Sequence, residues 1–476
     1  MELKTIVGLE IHSELKTKSK IFCGCTTEFG GEVNTQCCPV CMGLPGSLPV
    51  VNKKVIDFAI KTGLSFNCDI ARYTKMDRKN YFYPDLVKAY QISQYDLPLC
   101  ENGFIEIEKA DGTKKRIRLI RIHIEEDTGK SLHGLEDVSL LDYNRSGVGL
   151  VEIVTQPDIS TAEEAGLFLD ELKATLEYLE VSDVKMEQGS LRCDVNVNVV
   201  SLDGKLKSNI SEIKNLNSFK AVQKAIEFET IRHTELLRKG ENTKKDTRRW
   251  DSEKNITVFM RDKQHVQDYR YFPEPDIVDF EISEEWIQEI KDGLPELPKD
   301  KRIRFIKEYG IPEYDARVLI GNRQLANYFE EICKDFKDAK LVSNWIMTEL
   351  LRRMNLEGIT LEELKFSIKD LIVLFNQIAE DKISNNSAKK VFREMFENGK
   401  KPLEVIEEKG LAQISNDDFI NDLVTEVLEE NPDAIIDIRN GKDRAIGFLV
   451  GQVMKKSRGK ANPQKVSELI KKNCEE

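Results

Sequence analysis

Charged and apolar residues alternate in two short stretches of this chain, and the alternation limits what the chain can fold into. Arg121, His123 and Glu125 are separated by single isoleucines, and Glu10 and His12 are separated by another isoleucine. Since successive side chains of a strand point to opposite faces of a sheet, each stretch predicts a strand with one packed face and one polar face. Carboxylates beside histidine and cations favour a site for divalent metal and phosphate. The alternative is the solvated face of an ordinary antiparallel sheet.

Length and composition predict a soluble protein of several domains. The chain has 476 residues, of which 40% are hydrophobic and 32% are charged. At ~150 residues per domain, this length corresponds to about two to four domains. No apolar run approaches the ~18 residues of a membrane span, and the first residues lack the pattern of a secretory signal. We therefore expect a cytoplasmic protein without a membrane partner. The net charge of −12 argues against nonspecific coating of nucleic acid.

Half of the ten cysteines fall between Cys23 and Cys41, and four of these five form a Cys-x-Cys pair and a Cys-x₂-Cys pair. In a reducing compartment such clustering favours metal binding or packing over disulfides. Four thiolates suit tetrahedral Zn²⁺, so we predict a structural zinc site at Cys23, Cys25, Cys38 and Cys41. Four cysteines leave no open position for catalysis. A cysteine-rich loop that only packs is the alternative, and Cys37 is a spare thiol.

Two later stretches predict further strands with polar faces. Arg192, Asp194 and Asn196 alternate with Cys193 and Val195, and Glu212 and Lys214 flank an isoleucine. These residues are candidates for the same phosphate and metal site, with a solvated face again as the alternative. A segment rich in cations and aromatic residues could grip phosphate and stack on a ring, or pack as a core segment with a basic edge; its cations and rings are Lys75, Arg78, Lys79, Tyr81, Phe82 and Tyr83.

Other signals predict ordinary packing. Residues 151–155 alternate Val151, Ile153 and Thr155 against Glu152 and Val154, and predict a strand that ends before Pro157. Residues 161–164 predict a capping box that starts a helix with a buried leucine stripe. Helices are also predicted at about 53–64 and 218–239.

The composition changes near residue 293, beyond which helical periods replace strand patterns. We place one domain boundary at about 293 and a second near 405, which gives domains 1–292, 293–405 and 406–476. Between residues 439 and 473 ten Lys or Arg face only two acids. This contrast with the acidic remainder predicts an RNA-binding module, although a solvated basic tail is the alternative. Its candidate phosphate contacts are Lys455, Lys456, Arg458 and Lys460.

Seven motifs together resemble the GatB/GatE family, the B subunits of the bacterial aspartyl/glutamyl-tRNA amidotransferases, and the resemblance covers essentially the whole chain. The motifs are residues 7–12, the cysteine cluster, and residues 77–84, 121–127, 189–194, 212–217 and 268–273. The resemblance implies an α+β fold: an N-terminal cradle domain with an antiparallel sheet, similar to the glutamine synthetase catalytic fold and carrying the zinc insert, followed by helical and tail domains.

The resemblance also implies a function. In this family of heterotrimers the glutaminase subunit frees ammonia, a small third subunit completes the assembly, and the B subunit uses ATP to phosphorylate the side-chain carboxylate of a misacylated tRNA. Ammonia then displaces phosphate, which converts Glu-tRNA(Gln) to Gln-tRNA(Gln) and, in many organisms, Asp-tRNA(Asn) to Asn-tRNA(Asn). The chain lacks a Walker-type phosphate loop, as the implied fold requires. Glutaminase activity is not expected of this chain.

Within that reaction, face and charge suggest roles for the predicted residues. Glu10, His12 and Glu125 are the expected Mg²⁺ ligands. Further catalytic candidates are Glu126, Asp194 and Glu212. Contacts with ATP are expected from Lys75, Arg192, Lys214 and Asn196.

Two positions depart from the family pattern. The chain has Gly149-Leu150 where the family has Pro-Leu, and Gln188 where a second glutamate is expected. Glycine releases the φ restriction that proline would impose. A noncatalytic tRNA-binding or scaffold paralogue is therefore a second hypothesis. A free-standing ligase acting on a small amine is a third, and the basic tail argues against it.

Overall fold

The computed structural model describes residues 2–135, 138–262, 268–413, 417–439, 444–457 and 461–475. The chain forms an α+β protein with two compact units, Met1–Pro298 and Lys299–Glu476. All described strands lie in the first unit, and the described part of the second unit is helical. Among the described residues, no helix is both long and apolar enough to cross a bilayer.

The strands of the first unit vary from long central strands to two-residue edge pairs. They are β1 (Leu3–Glu14), β2 (Asp69–Ile70), β3 (Tyr73–Thr74), β4 (Asp77–Asn80), β5 (Tyr90–Ser93), β6 (Cys100–Glu101), β7 (Phe104–Glu108), β8 (Lys114–Glu126), β9 (Lys130–Leu135), β10 (Val138–Asp142), β11 (Gly149–Thr155), β12 (Leu191–Ser201), β13 (Ser211–Lys214), β14 (Asp246–Asp251), β15 (Ile256–Asp262), β16 (Phe272–Pro273) and β17 (Phe280–Glu281).

The described residues of the first unit form four α-helices: α1 (Lys53–Ser65), α2 (Ala162–Tyr178), α3 (Phe219–Arg238) and α4 (Glu284–Asp292). The second unit contains α5 (Pro298–Tyr309, which starts at the unit boundary), α6 (Glu313–Ile320), α7 (Arg323–Asp335), α8 (Ala339–Trp345), α9 (Leu351–Glu357), α10 (Ile368–Ala379), α11 (Asn385–Asn398), α12 (Pro402–Glu408), α13 (Asp417–Glu430), α14 (Pro432–Arg439), α15 (Arg444–Lys456) and α16 (Pro463–Glu475). A π-helical turn at Ile346–Leu350 joins α8 to α9, and 3₁₀ turns lie at Met186–Gln188 and Leu361–Glu363.

A ten-stranded sheet organises the first unit. Its strand order is β15-β14-β13-β12-β1-β11-β8-β6-β2, and β7 pairs with β8. The pairs are antiparallel except for β13 and β14, which run parallel with Ser211 opposite Asp246. The prediction of an antiparallel sheet therefore needs correction at this pair, because α3 carries the chain across the sheet between the two strands.

One face of the sheet forms the hydrophobic core. Val7, Leu9 and Ile11 of β1 are buried, as are Ile122 and Ile124 of β8, so the predicted alternation is confirmed. Helices α2 and α3 pack against each other on this face, and α3 also packs on β12. At about 1.5–3 kcal/mol for each buried aliphatic side chain, burial of the apolar residues fixes which face remains for polar groups.

Helix α2 begins at the predicted residue, but its cap differs from the prediction. The Thr161 hydroxyl accepts a hydrogen bond from the Glu164 amide at 3.1 Å. The Glu164 carboxylate accepts from the Ser160 amide at 2.8 Å and from Lys115 at 2.6 Å, instead of closing the capping box on Thr161. The Glu164 carboxylate bonds to Lys115 instead of the Thr161 amide, because a charge-assisted hydrogen bond is stronger than a neutral one.

In the second unit, the last helices form an apolar cluster of their own. The cluster includes Ile420, Val424, Leu449, Val453 and Ile470, all buried. Such a cluster is what an independently packed tail module needs. The predicted boundary near residue 405 stays a prediction.

Candidate metal and phosphate site

The sheet brings four polar strands side by side on the face opposite the core. In the order β12-β1-β11-β8, Asp194 lies opposite Glu10, His12 opposite Glu152, and Glu152 opposite His123. Directly opposed residues of neighbouring strands share a face, so these side chains form one continuous polar row. Tertiary structure thus joins residues that are far apart in sequence.

Carboxylates surround His12 at distances that leave room for an ion. Its Nε2 atom lies 3.4 Å from Glu152 Oε2, 3.6 Å from Glu125 Oε1 and 3.9 Å from Glu10 Oε1. His123 Nε2 lies 3.4 Å from the same Glu152 oxygen and 3.8 Å from Glu125 Oε2. Glu152 and Glu125 therefore each approach both histidines, and Glu152 is the nearer of the two.

Charge controls protonation in this cluster. Burial lowers the pKa of His12, but its hydrogen bond with Glu152 and the charges of Glu152, Glu125 and Glu10 outweigh burial and raise that pKa to about 9. Burial raises the pKa of Glu152, but His123 and His12 outweigh it and hold the pKa well below its usual range. In the metal-free protein His12 is thus a cation at neutral pH, paired with anionic carboxylates.

Two groups of three ligands could each hold a metal ion. One consists of Glu10, His12 and Glu152, and the other of His123, Glu125 and Glu152, with all ligand atoms of a group within 4.8 Å of one another. Carboxylate oxygens are the ligands that Mg²⁺ prefers, and imidazole also suits softer divalent ions. The donor set fits a divalent metal, and Glu152 belongs to both groups.

A lysine and aromatic rings adjoin the acidic cluster. Burial lowers the pKa of the Lys79 ammonium, but Glu125, Tyr271 and Glu152 outweigh burial and raise it. The Lys79 Nζ atom lies 5.8 Å from the ring centroid of Tyr81 and 5.2 Å from that of Tyr269. This half-buried cation is available to phosphate oxygens at the cluster.

A second cation borders the row at Asp194. Lys214 donates a hydrogen bond to Asp194, and its Nζ atom lies 3.4 Å from Glu212 Oε1. Glu212 also accepts a hydrogen bond from Thr247 at 2.8 Å. Asn196 lies opposite Glu212 in the register. The predicted residues Asp194, Glu212, Lys214 and Asn196 are thus brought together next to Glu10.

At the other end of the row, Arg192 is already paired. Its Nη2 atom donates to Asp127 Oδ2 at 2.7 Å, and Arg145 Nε lies 3.4 Å from the same oxygen. Burial and the neighbouring Asp127 raise the pKa of Glu14 to about 8. A cavity of about 380 Å³ opens here, and Glu14, Arg145 and Gln188 are among its lining residues.

Two predicted site residues lie elsewhere. Glu126 follows Glu125 directly and points to the opposite face, where its carboxylate lies 2.5 Å from Lys88 Nζ and accepts from the Ile92 amide at 2.9 Å. Lys75 pairs with Asp77 at 2.5 Å and with Asp96 at 2.7 Å. Neither residue joins the row around His12.

Sequence reasoning missed Glu152 as a site residue and left His123 out of the ligand set. Most of the other residues in the strand of Glu152 are apolar, so the sequence shows no alternation of polar and apolar residues around Glu152. His123 alternated with Glu125 in the sequence, and that spacing was a usable signal.

The four predicted zinc ligands meet in space. The sulfurs of Cys23, Cys25, Cys38 and Cys41 all lie within 4.8 Å of one another. Tetrahedral coordination with Zn–S bonds of about 2.3 Å places sulfurs about 3.8 Å apart, so the arrangement fits Zn²⁺. The Cys38 amide donates to Cys41 Sγ at 3.2 Å, which suits a thiolate ligand. Cys37 lies outside the set and contacts Asn144.

The predicted RNA contacts are only partly described. Lys455 and Lys456 end α15, and Lys456 pairs with Glu430 at 2.6 Å and Glu426 at 2.9 Å. Arg458 and Lys460 lie outside the described residues.

Comparison with known proteins gives consistent matches along the chain. The family model described as GatB/GatE catalytic domain matches residues 5–288, and the one described as GatB domain matches residues 327–474. Curated relatives are named as the B subunit of aspartyl/glutamyl-tRNA(Asn/Gln) amidotransferase. The one from Thermoanaerobacter sp. strain X514 is 54% identical over 99% of each chain. That from Caldicellulosiruptor bescii is 54% identical over 100% of each chain, and that from Clostridium tetani is 53% identical over 99% of this chain and 98% of its own. Because both domain matches and the full-length relatives agree, the chain belongs to the GatB/GatE family.

Proposed function

We propose that this chain is the B subunit of a tRNA-dependent amidotransferase and uses ATP to phosphorylate the side-chain carboxylate of Glu-tRNA(Gln), Asp-tRNA(Asn) or both. The observation that carries the proposal is the grouping of Glu10, Glu125 and Glu152 around His12 and His123. A surface that only binds anionic RNA gains nothing from grouped carboxylates, whereas phosphoryl transfer needs oxygen ligands for a divalent ion. The names of the relatives support the same assignment.

Each part of the site has a proposed role. Glu10, His12, Glu125 and Glu152 would hold Mg²⁺, which would neutralise phosphate oxygens of ATP when bound. Lys79 would face the transferred phosphoryl group, because it lies close enough to Glu125 for the two charges to interact. Lys75 is less suited to this role, because it is already paired with Asp77.

The polar group beside Glu10 would hold the nucleotide. Asp194 and Glu212 fix the ammonium of Lys214, so that it can contact a phosphate without searching many conformers. Asn196, in the same group, can donate or accept a hydrogen bond with ATP. Arg192 would act at the other end, beside the cavity that Glu14 and Gln188 line.

The reaction needs activation because a carboxylate is a poor electrophile. A carboxylate oxygen of the aminoacyl side chain attacks the γ-phosphorus, and the bond from that phosphorus to ADP breaks. Ammonia then attacks the acyl carbon, and phosphate leaves with the former carboxylate oxygen. The chain's contribution is to align the donor, the metal and the acceptor and to stabilise charge.

The partners and the fold are part of the proposal. Ammonia would come from glutamine hydrolysed by a glutaminase subunit, with a small third subunit completing a heterotrimer, so the assembly would be a carbon–nitrogen ligase with glutamine as amide donor. The cradle domain of residues 1–292 would be similar in fold to glutamine synthetase. Residues 293–405 would form the helical domain.

Zinc and RNA complete the proposal. Cys23, Cys25, Cys38 and Cys41 would bind one structural Zn²⁺, since the closed set of four thiolates leaves no catalytic position. The tail of residues 406–476 would contact tRNA through Lys455, Lys456, Arg458 and Lys460, by neutralising backbone phosphates.

The noncatalytic scaffold is the less favoured function. A scaffold would have no need to keep buried carboxylates together against their mutual repulsion, yet Glu125 is 2% and Glu152 is 5% exposed. Gly149 lies in β11 and Gln188 lies in a 3₁₀ turn beside the cavity, and neither interrupts the polar row.

The proposal is tested with the reconstituted heterotrimer, γ-³²P-labelled ATP, Mg²⁺ and Glu-tRNA(Gln). ATP cleavage is expected to depend on the charged tRNA and to fall by at least ~100-fold in Glu125→Gln, in line with loss of a group that stabilises charge at the transition state. Glu163→Gln, which changes an exposed glutamate of α2, is the control and should keep full activity. Binding of tRNA without ATP cleavage by the wild type would support the scaffold instead.

A further inference from the structure

A fully buried lysine lies beside the four cysteines. Lys20 follows β1 in the chain and is 0% exposed. Its ammonium donates to the carbonyl oxygen of Gln36 at 2.8 Å and lies 3.5 Å from that of Tyr143 and 3.7 Å from Cys41 Sγ. An ammonium has three hydrogens to donate, so these three acceptors account for all of them.

This ammonium has no carboxylate partner within 4.0 Å in the described parts of the chain, although most buried lysines are paired with one. An uncompensated buried charge costs several kcal/mol, and carbonyl dipoles offset only part of that cost. Among its three acceptors, only the sulfur of Cys41 can carry a full negative charge. The packing around Lys20 therefore makes physical sense when Cys41 is a thiolate.

Four thiolates around a divalent metal carry a net charge of −2, and part of that charge lies on Cys41, which is buried and therefore costly to charge. We infer that Lys20 is the counter-ion of this metal–thiolate cluster and a positioning residue that strengthens metal binding. The inference rests on the metal assignment of the four cysteines proposed above and is independent of the proposed phosphoryl transfer. As a counter-ion, Lys20 must be buried next to the cluster and must contact one of its sulfurs, and the structure shows both features.

The same lysine joins two loops. Gln36 belongs to the cysteine loop, and Tyr143 belongs to the segment that leads into β11. A second bond reinforces the junction, because the Gln36 amide donates to Asn144 Oδ1 at 2.9 Å. Ile21 beside the lysine donates its amide to the Gly147 carbonyl at 2.9 Å. Metal binding would therefore stiffen the approach to the strand that carries Glu152.

The test compares Lys20→Met, which keeps length and apolar packing, with Lys20→Arg, which keeps the charge. Lys18→Met, at an exposed lysine two residues away, is the matched control. Zinc content is measured by atomic absorption, and zinc affinity by competition with a chromogenic chelator. Lys20→Met should bind zinc about 10–100-fold more weakly, the usual effect of losing a partner of a metal ligand. The zinc affinity of Lys20→Arg should be closer to that of wild type, and the zinc affinity of Lys18→Met should equal that of wild type.

A second measurement separates metal binding from general packing. Thermal unfolding is recorded with and without zinc, and the stabilisation by zinc should shrink in Lys20→Met while the metal-free proteins unfold at similar temperatures. In Co²⁺-substituted wild type the absorption bands should indicate a tetrahedral thiolate site. The inference is overturned if wild type binds no zinc, if Lys20→Met binds zinc as tightly as wild type, or if Lys20→Arg is as weak as Lys20→Met. An equal loss of stability with and without zinc would also overturn it. If Lys20→Met does not fold, the same comparison is made with Lys20→Gln.

Discussion

Replacement of Glu152 by glutamine should lower the pKa of His12 strongly. The Glu152 carboxylate lies 3.4 Å from His12 Nε2, closer than those of Glu125 at 3.6 Å and Glu10 at 3.9 Å. The three carboxylates together hold the pKa of His12 at about 9 against the effect of burial. Glutamine keeps the shape of the side chain and removes the charge, so the change isolates one electrostatic contribution.

The geometry sets the size of the effect. Two unit charges 3.4 Å apart interact by about 5 kcal/mol at an effective dielectric constant of about 20. At 1.36 kcal/mol per pKa unit this is an upper bound of about 3.6 units, and relaxation of the remaining carboxylates reduces it to about 2–3 units. The pKa of His12 should therefore fall to about 6–7 in Glu152→Gln. Glu10→Gln should cause a smaller fall, since Glu10 is more distant and more exposed.

The assay is an NMR titration of metal-free protein with isotope-labelled histidine. The chain contains five histidines, and a His12→Asn variant assigns the signal. A pKa of His12 that is the same in Glu152→Gln and wild type would refute the reasoning. So would a larger change in Glu10→Gln than in Glu152→Gln, because the distances predict the opposite order.

The same reasoning predicts proton release on metal binding. Wild-type His12 is protonated near neutral pH, so coordination by its nitrogen must displace a proton. Calorimetry in buffers of different ionisation enthalpy should show about one proton released per metal ion. Glu152→Gln should release fewer, since its His12 is already mostly neutral. Equal proton release by both proteins would contradict a ligand role for His12.

Three further predictions concern stability and nucleotide binding. The pKa of Glu229 is about 2, since its hydrogen bonds to His233 and Arg232 outweigh burial; Glu229→Gln should lose about 3 kcal/mol of unfolding free energy at neutral pH. In chemical denaturation this difference should shrink as the pH falls from about 4.5 to about 2, because the stabilisation from a depressed pKa is complete above the unfolded pKa and is lost as the pH falls through the folded pKa. A constant difference would contradict the assignment. Gly149→Ala places a Cβ 3.0 Å from Val55 Cγ2, so it should lower the free energy of unfolding by about 1–3 kcal/mol. A simultaneous Val55→Ala should recover part of this loss. If the losses of the two single variants simply add in the double variant, the result would argue against the clash. Lys214→Met should raise the KM for ATP about 10–100-fold, as expected for loss of a charged hydrogen bond, while the KM for tRNA stays unchanged; an equal rise in both would argue against a phosphate contact.

Local sequence pattern was sufficient for the strands that combine an apolar and a polar face. Alternation in β1 and β8 identified Glu10, His12 and Glu125, because every second residue of a strand shares a face. The same rule separates Glu126 from Glu125, since consecutive residues point to opposite faces. Glu126 therefore lies beside Lys88, apart from the row around His12.

The rest depends on which strands become neighbours. Glu152 joins the site because β11 lies between β1 and β8, and strand order is set by long-range packing that no local pattern encodes. The parallel pairing of β13 with β14 depends in the same way on how α3 crosses the sheet. Lys75 and Lys79 are alike in sequence, and only the fold shows that Asp77 and Asp96 engage the first while Glu125 approaches the second.

The central claim is that this chain activates a carboxylate by phosphorylation, and isotope transfer tests it most directly. Glu-tRNA(Gln) carrying ¹⁸O in both side-chain carboxylate oxygens is turned over by the reconstituted heterotrimer with ATP and glutamine in unlabelled water. The phosphate released should contain one ¹⁸O atom, because the oxygen that attacks the γ-phosphorus leaves with it, and Glu125→Gln should release almost none. Phosphate without ¹⁸O, formed alongside Gln-tRNA(Gln), would show that the carboxylate never attacks ATP and would contradict the account.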